Sequence, residues 1–197
     1  MLDIDFGTYP FVTSSNTISA GVCNGLGIAP SQIGEVIGIV KAYCTRVGSG
    51  PFPTQLDDAN GEKLRAIGHE FGATTGRPRR CGWIDIPQLL YTIMLSGVTQ
   101  IVITKLDVLD DFDQIGVGLN YNVEGEITNE LPFDINQNGI APDYVYHDGW
   151  KESLDDVTSV DGLPKNASDY LNALEKYLGV KISMVSTGPE RRKLFVR

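Results

Sequence analysis

Residues 85–104 constrain the fold more than any other part of the chain. Ile86, Leu89, Leu90, Ile93 and Met94 recur at three- and four-residue spacing, which predicts a helix over 85–96 with one apolar face. Asp85 is a good N-cap for it, and Gly97 can end it. Directly after comes Gln100-Ile-Val-Ile-Thr104, a short run rich in β-branched residues that reads as a buried strand. A helix that feeds at once into a strand buried on both faces is a unit of an α/β fold.

The remaining patterns agree with that class. Ile33, Val36, Ile37, Val40 and Cys44 also recur at helical spacing behind Pro30, so a helix is expected over 30–44. Segments 115–123 and 126–131, separated near Gly125, read as a hairpin. A last helix is expected over 168–178, closing at Gly179, and Lys181-Ile-Ser-Met-Val185 reads as another strand. No internal repeat or low-complexity linker divides the chain, so residues 1–197 are expected to form a single unit. The opening residues, Met1-Leu-Asp-Ile-Asp5 running into Phe6-Gly-Thr-Tyr-Pro10, read as a chain entered in mid-domain.

Charge and cysteine content narrow the function. A net charge of −9 argues against extended contact with nucleic acid or an acidic membrane surface, because those partners are bound through basic faces. No apolar run approaches the roughly 20 residues that a bilayer span needs. Asp3 and Asp5 stand where a secretion signal would carry cations, so the expected compartment is the cytoplasm. Cys23, Cys44 and Cys81, widely spaced and with only His69 and His147 as nitrogen partners, fit neither a disulfide framework nor a zinc site; reduced, mostly buried thiols are expected, and structural or solvent-facing histidines.

Cations are nevertheless gathered locally. Phe71-Gly-Ala-Thr-Thr-Gly-Arg-Pro-Arg-Arg80 combines glycines that free the backbone, hydroxyls on Thr74 and Thr75, and the planar forks of Arg77, Arg79 and Arg80. That is the chemistry of an anion clamp, although arginines in a turn also pair with acidic side chains of the protein. Arg191, Arg192 and Lys193 form a second basic group. Thr104-Lys-Leu-Asp107 follows the candidate strand, where α/β sheets bind ligands, and a carboxylate there can accept from the N1 and exocyclic amine of guanine, a donor pair adenine lacks. The same tripeptide spacing also serves surface ion pairs and helix caps. Ser186-Thr-Gly-Pro189 follows the last candidate strand, and its small residues permit close approach of a base or ribose, or simply form a turn. Thr13-Ser-Ser-Asn16 offers hydroxyls and an amide ahead of a glycine-rich stretch. Gly25-Leu-Gly27 is not a dinucleotide fingerprint, since the third glycine is missing.

These motifs together, with Asp3-Ile-Asp-Phe-Gly-Thr-Tyr-Pro10 and Thr45-Arg-Val-Gly-Ser-Gly-Pro-Phe-Pro-Thr54, in this order, resemble adenylosuccinate synthetase from Leu2 to the C-terminus. The resemblance implies the C-terminal part of a mixed-sheet nucleotide-binding fold of the phosphate-loop-like, GTP-binding kind. It implies a reaction in which IMP and L-aspartate are joined at the expense of GTP with Mg2+: O6 of IMP is phosphorylated and the aspartate amine displaces the phosphate. By resemblance, Ala73, Thr74, Thr75, Gly76, Arg77 and Arg79 hold aspartate, with Arg77 and Thr13 also reaching IMP. Arg79, Lys105, Leu106, Asp107, Ser186, Thr187 and Gly188 form the GTP site. The family is homodimeric and cytoplasmic.

In the family the catalytic base and acid, the phosphate-binding loop and the magnesium ligands belong to the preceding half. The present sequence contains no G-x-x-x-x-G-K-[ST] motif and no paired nucleophile and base, so no catalytic residue and no metal ligand are assigned within it. The isolated chain is expected to be inactive. Two other readings remain open at this point: a non-catalytic guanine-nucleotide-binding module and a structural remnant that only folds or pairs.

Overall fold

A computed structural model describes residues 1–74, 76–135 and 139–197. In chain order the elements are α1 (Ala20–Leu26), β1 (Ile37–Lys41), β2 (Cys44–Arg46), α2 (Ala59–Ile67), β3 (Arg80–Gly82), β4 (Ile84–Asp85) and α3 (Ile86–Ser96), then β5 (Gln100–Thr104), β6 (Gln114–Val123), β7 (Glu126–Thr128), β8 (Ile140–Asp148), α4 (Lys165–Leu178), β9 (Ile182–Ser186) and β10 (Leu194–Val196). One sheet has the order β1-β5-β9-β10, with β1, β5 and β9 parallel and β10 antiparallel. A second joins β4, β6, β7 and β8 around the long strand β6, and β2 and β3 form a separate antiparallel ribbon. The mixed α/β class is therefore as expected.

The unit over residues 85–104 forms as its pattern predicts. Asp85 caps α3 by accepting from the Gln88 amide at 3.1 Å, Gly97 ends it at φ 61°, and β5 follows with Ile101, Val102 and Ile103 buried. The last helix starts at Lys165, three residues ahead of expectation, behind Pro164, and buries Ala167, Tyr170, Leu171, Leu174 and Leu178 along one stripe. The hairpin of β6 and β7 is present, its turn carried by Glu124 and Gly125 at positive φ, but β7 stops at Thr128.

The helix expected over 30–44 does not form. Pro30–Gln32 makes a single 3-10 turn, and the chain then extends into β1 and β2. The run is apolar enough for either outcome, but β5 offers a full parallel partner from Ile37↔Gln100 to Lys41↔Thr104, while Gly34 and Gly38 weaken a helix. Gly38 also lies where Val98 presses close, since a Cβ there would stand 3.0 Å from Val98 Cγ1. The long strand β8, paired with β6 from Gln114↔Asp148 to Val123↔Ile140, was not anticipated, nor was α2, which Asp58 caps through the amides of Asn60 and Gly61.

One core unites these pieces. It runs from Tyr43 and Leu64 through Trp83, Ile84, Ile101 and Ile103 to Leu171, Leu174 and Val185. Trp83 lies edge-on to Phe112 with ring centroids 5.3 Å apart and rests on Gly116, where a Cβ would come within 2.5 Å of Trp83 Cδ1. Cys81 is buried, whereas Cys23 and Cys44 are half-buried. His147 is half-buried, its ring 5.6 Å from that of Tyr170, and His69 is exposed.

Asp85 ties α3 to the second sheet. Its fully buried carboxylate accepts from Tyr121 Oη at 2.7 and 2.9 Å and from Gln88 Nε2 at 2.8 Å. Burial pushes this carboxyl up to about 6, against the pull of the Tyr121 and Gln88 donors. Asp85→Ala removes a helix cap and leaves Tyr121 Oη buried without its acceptor, so it is expected to destabilise the chain by about 1–3 kcal/mol in urea unfolding at neutral pH.

Candidate functional site

The parallel strands set the location of the site. Lys41 of β1 pairs with Thr104 of β5, and Ile103 of β5 with Val185 of β9, so the C-terminal ends of all three strands lie along one edge. The residues that follow them are Ala42 and Tyr43, then Lys105 to Asp107, then Thr187 and Gly188. This is the edge at which open α/β sheets hold ligands.

A single buried acid organises that edge. Glu70, reached from α2 through Gly68 and His69, has a fully buried side chain. Its Oε1 accepts from Lys41 Nζ at 2.8 Å, Tyr43 Oη at 2.6 Å and Lys105 Nζ at 3.0 Å, while Oε2 accepts from Arg79 at 2.7 Å. Burial pushes the Glu70 carboxyl up, but the Lys41, Tyr43, Lys105 and Arg79 donors outweigh it and hold the group down at about 2. Two motifs far apart in sequence, the arginine loop and the turn after β5, thus share one carboxylate.

The loop between Glu70 and Arg79 is closed by backbone bonds at its root. The Arg79 amide donates to Glu70 O at 2.9 Å, the Gly72 amide to Arg77 O at 2.9 Å, and the Gly76 amide to Gly72 O at 2.8 Å. Gly76 takes φ 64°, a left-handed conformation that glycine adopts without steric cost. Ala73, Thr74, Gly76 and Arg77 are exposed at the tip. Thr75 lies outside the described residues. The arginines divide their work: Arg79 is bound to Glu70, whereas Arg80 braces the segment before α2, donating to Gln55 and to Gly50 O at 2.8 Å.

The turn after β5 begins with Lys105 at φ 59°, an uncommon backbone for a lysine, which sends the chain into the 3-10 turn Leu106–Leu109. Leu106 is fully buried and anchors it. Lys105 Nζ donates to Gly68 O at 2.6 Å as well as to Glu70. Asp110 holds the far side, accepting from Trp150 Nε1 and the Leu154 amide, each at 2.8 Å. Asp107 is half-buried, and among the described residues its Oδ1 is a buried atom with no hydrogen-bond partner. Burial pushes its carboxyl up; its own backbone amide, Lys105 and Lys193 favour the charged form.

The turn after β9 is equally fixed. Ser186 Oγ donates to Gly188 O at 2.8 Å, and the buried Thr187 donates to Lys193 O through its amide at 3.0 Å and to Val157 O through its hydroxyl at 3.3 Å. Thr13 sits apart from this group. It lines a cavity of about 380 Å³ with Leu2, Phe11, Arg46, Val47 and Ser49, which adjoins Arg80 through the β2–β3 pairing of Arg46 with Arg80 and through Arg80 donating to Gly48 O and Gly50 O. A larger cavity of about 560 Å³ between residues 5–9 and 131–135 carries no comparable gathering of charge, so chemistry rather than volume singles out the Glu70 edge.

Glu70, Lys41 and Tyr43 were not read from the sequence as site residues. The available signal was an acid immediately before an arginine-rich loop, but burial of that acid among cations from three elements is a tertiary property. Replacing it leaves three cations without their shared partner; Glu70→Ala is therefore expected to lower stability by about 3–5 kcal/mol in denaturant unfolding. Because the folded carboxyl titrates near 2 rather than at its ordinary 4.5, its contribution is complete above pH 4.5 and is lost as pH falls toward 2. Glu70→Gln should flatten the dependence of stability on pH in that window.

With this geometry in hand, comparison with known proteins is direct. The family model for adenylosuccinate synthetase matches residues 1–195. The adenylosuccinate synthetase of Bacteroides thetaiotaomicron is 54% identical over 197 residues, which are 100% of this chain and 46% of that protein. The structure of fully ligated adenylosuccinate synthetase from Plasmodium falciparum superposes with a TM-score of 0.95 at 45% identity, covering 100% of this chain and 47% of that one. The succinoaminodeoxyadenylate synthetase of cyanophage S-2L, at 16% identity and a TM-score of 0.58 over 99% of this chain, shares the fold alone. The chain spans about half the length of the curated relatives it matches, and it belongs to the adenylosuccinate synthetase family.

Proposed function

We propose that this chain forms the amino-acid-holding and base-reading part of a ligase that joins IMP and L-aspartate to adenylosuccinate at the expense of GTP. The observation that carries the reading is the shared Glu70 carboxylate, which brings Arg79 and Lys105 to one sheet edge. An arginine loop and a base-reading acid on one edge suit a reaction that handles two anionic nucleotides and a dicarboxylic amino acid.

In this reading Ala73, Thr74, Thr75, Gly76 and the arginines hold the aspartate carboxylates, which orients the amine toward IMP. Arg77 and Thr13 contact IMP. Asp107 accepts from N1 and the 2-amine of guanine, Lys105 and Leu106 line the base, and Ser186, Thr187 and Gly188 close the pocket. Arg79 contacts GTP from its place on Glu70. The unpartnered Asp107 Oδ1 supports this assignment, since a buried acceptor without a donor is costly until a ligand supplies one. Magnesium in such a reaction neutralises phosphate charge, and it requires oxygen ligands. The described residues hold no group of three or more His, Cys, Asp or Glu side chains that could bind a metal, so no magnesium site is proposed on this chain. The homodimer and the cytoplasmic setting belong to the same proposal; among the described residues no helix is long and apolar enough to cross a membrane.

The 197 residues carry no glycine-lysine phosphate loop, and positioning with charge stabilisation accounts for nearly all of phosphoryl-transfer catalysis. Incubation of the chain alone with IMP, aspartate, GTP and magnesium should therefore yield no adenylosuccinate; its formation would overturn that part of the proposal. Calorimetry should show weak binding with GTP preferred over ATP. Asp107→Asn should reduce the preference by roughly tenfold or more and shift it toward xanthine nucleotides, whose N1 and C2 groups suit an amide.

A further inference from the structure

A second gathering of cations stands on the ribbon of β2 and β3. Arg46 and Arg80 lie directly opposite each other in that pairing, which sets two like charges on one face of the ribbon. Both are half-buried, and among the described residues neither has an ion pair. Burial and the neighbouring Arg80 charge push the Arg46 guanidinium down from its ordinary value. Arg80 is spent on the frame, donating to Gln55 Oε1, Gly48 O and Gly50 O. Arg46 is held but not exhausted. Its Nε donates to Ser49 O at 3.2 Å, and its Nη2 to Thr8 Oγ1 at 2.9 Å and to Phe11 O at 3.0 Å, while Nη1 enters no hydrogen bond among the described residues. The fork passes over Gly50, where a Cβ would stand 2.4 Å from Nη2.

The cavity of about 380 Å³ that Thr13 lines is also lined by Arg46 and Ser49, and of its described lining residues Arg46 alone is charged. A half-buried cation with unused N–H groups, no ion pair and hydroxyls in the same cavity matches a phosphate group, whose oxygens accept from a guanidinium fork and from hydroxyls alike. The cavity is larger than a phosphate and leaves room for the sugar that carries it. We propose that Arg46 is a further substrate-binding residue, donating through Nη1 to the 5′-phosphate of the nucleoside monophosphate that Thr13 contacts. This rests on the reading of Thr13 as an IMP contact. The bonds from Nη2 to Thr8 and Phe11 act in the same place, since they tie the segment that leads to Thr13 onto β2.

The test separates a phosphate contact from a structural one. The chain is titrated with IMP and with inosine, which keeps the base and ribose and lacks the phosphate. Wild type should bind IMP about tenfold tighter than inosine, the scale of one charge-assisted hydrogen bond. Arg46→Met should remove that tenfold from IMP and leave inosine unchanged, while Arg46→Lys, which keeps the charge, should retain a preference for IMP. In nitrogen-labelled wild type the Arg46 guanidinium resonance should shift with IMP and stay in place with inosine, a readout that needs no variant. An unmoved resonance at saturating IMP, full IMP affinity in folded Arg46→Met, or equal losses of IMP and inosine, the mark of a purely structural role, would overturn the role of Arg46. Unchanged IMP affinity in Thr13→Val would instead remove the reading of Thr13, and absence of saturable IMP binding would remove both.

Discussion

The structure turns on one buried carboxylate. Glu70 sits where cations from β1, from the turn after β5 and from the arginine loop converge, together with the phenol of Tyr43. One negative charge against three positive ones leaves the edge cationic while removing the repulsion that would otherwise spread those side chains apart. An acid taken out of water on its own is strongly unfavourable, so Glu70 also demands its partners; the cations hold the acid and the acid holds them. The consequence is a loop whose root is rigid and whose tip is exposed, an arrangement suited to capturing a small anion without ordering the whole loop at the moment of binding.

The rest of the fold supplies the frame for that contact. Three parallel strands end together, which delivers residues separated by more than a hundred positions to one line. The second sheet is joined to this frame through α3, where the buried Asp85 carboxylate serves both as helix cap and as acceptor for Tyr121 of β6. Gly116 lets Trp83 lie directly on the backbone of β6. The polar contacts of Asp110 with Trp150 and Leu154 hold the turn after β5 in place.

Charge at this edge is arranged by role. Lys105 and Arg79 are bound to Glu70, Arg80 braces backbone, and Asp107 keeps at Oδ1 an acceptor that the described protein atoms do not fill. In a chain whose overall charge is −9, this arrangement gathers cations at one edge.

Local pattern was enough for elements whose partners lie nearby in sequence. The apolar stripe, cap and glycine stop of α3, the β-branched run of β5, and the stripe of α4 with Gly179 behind it are each written within a dozen or so residues, because helix packing and capping are short-range. The arginine loop, Asp107 and the turn at Ser186 could be singled out for the same reason, by residue types placed together in sequence, and the structure sets Arg79 of that loop, Lys105 beside Asp107 and the turn after β9 along one sheet edge. Residues 30–44 misled because an unbroken apolar run satisfies both helical spacing and a buried parallel strand, and only the presence of β5 alongside decides between them. Strand β8 carries Pro142 and Asp143 and is made a strand by its pairing with β6. The sequence by itself determined the class and the family. The tertiary structure alone decided that Glu70 joins the arginine loop to the turn after β5, because burial and charge pairing depend on segments that meet only when the chain is folded.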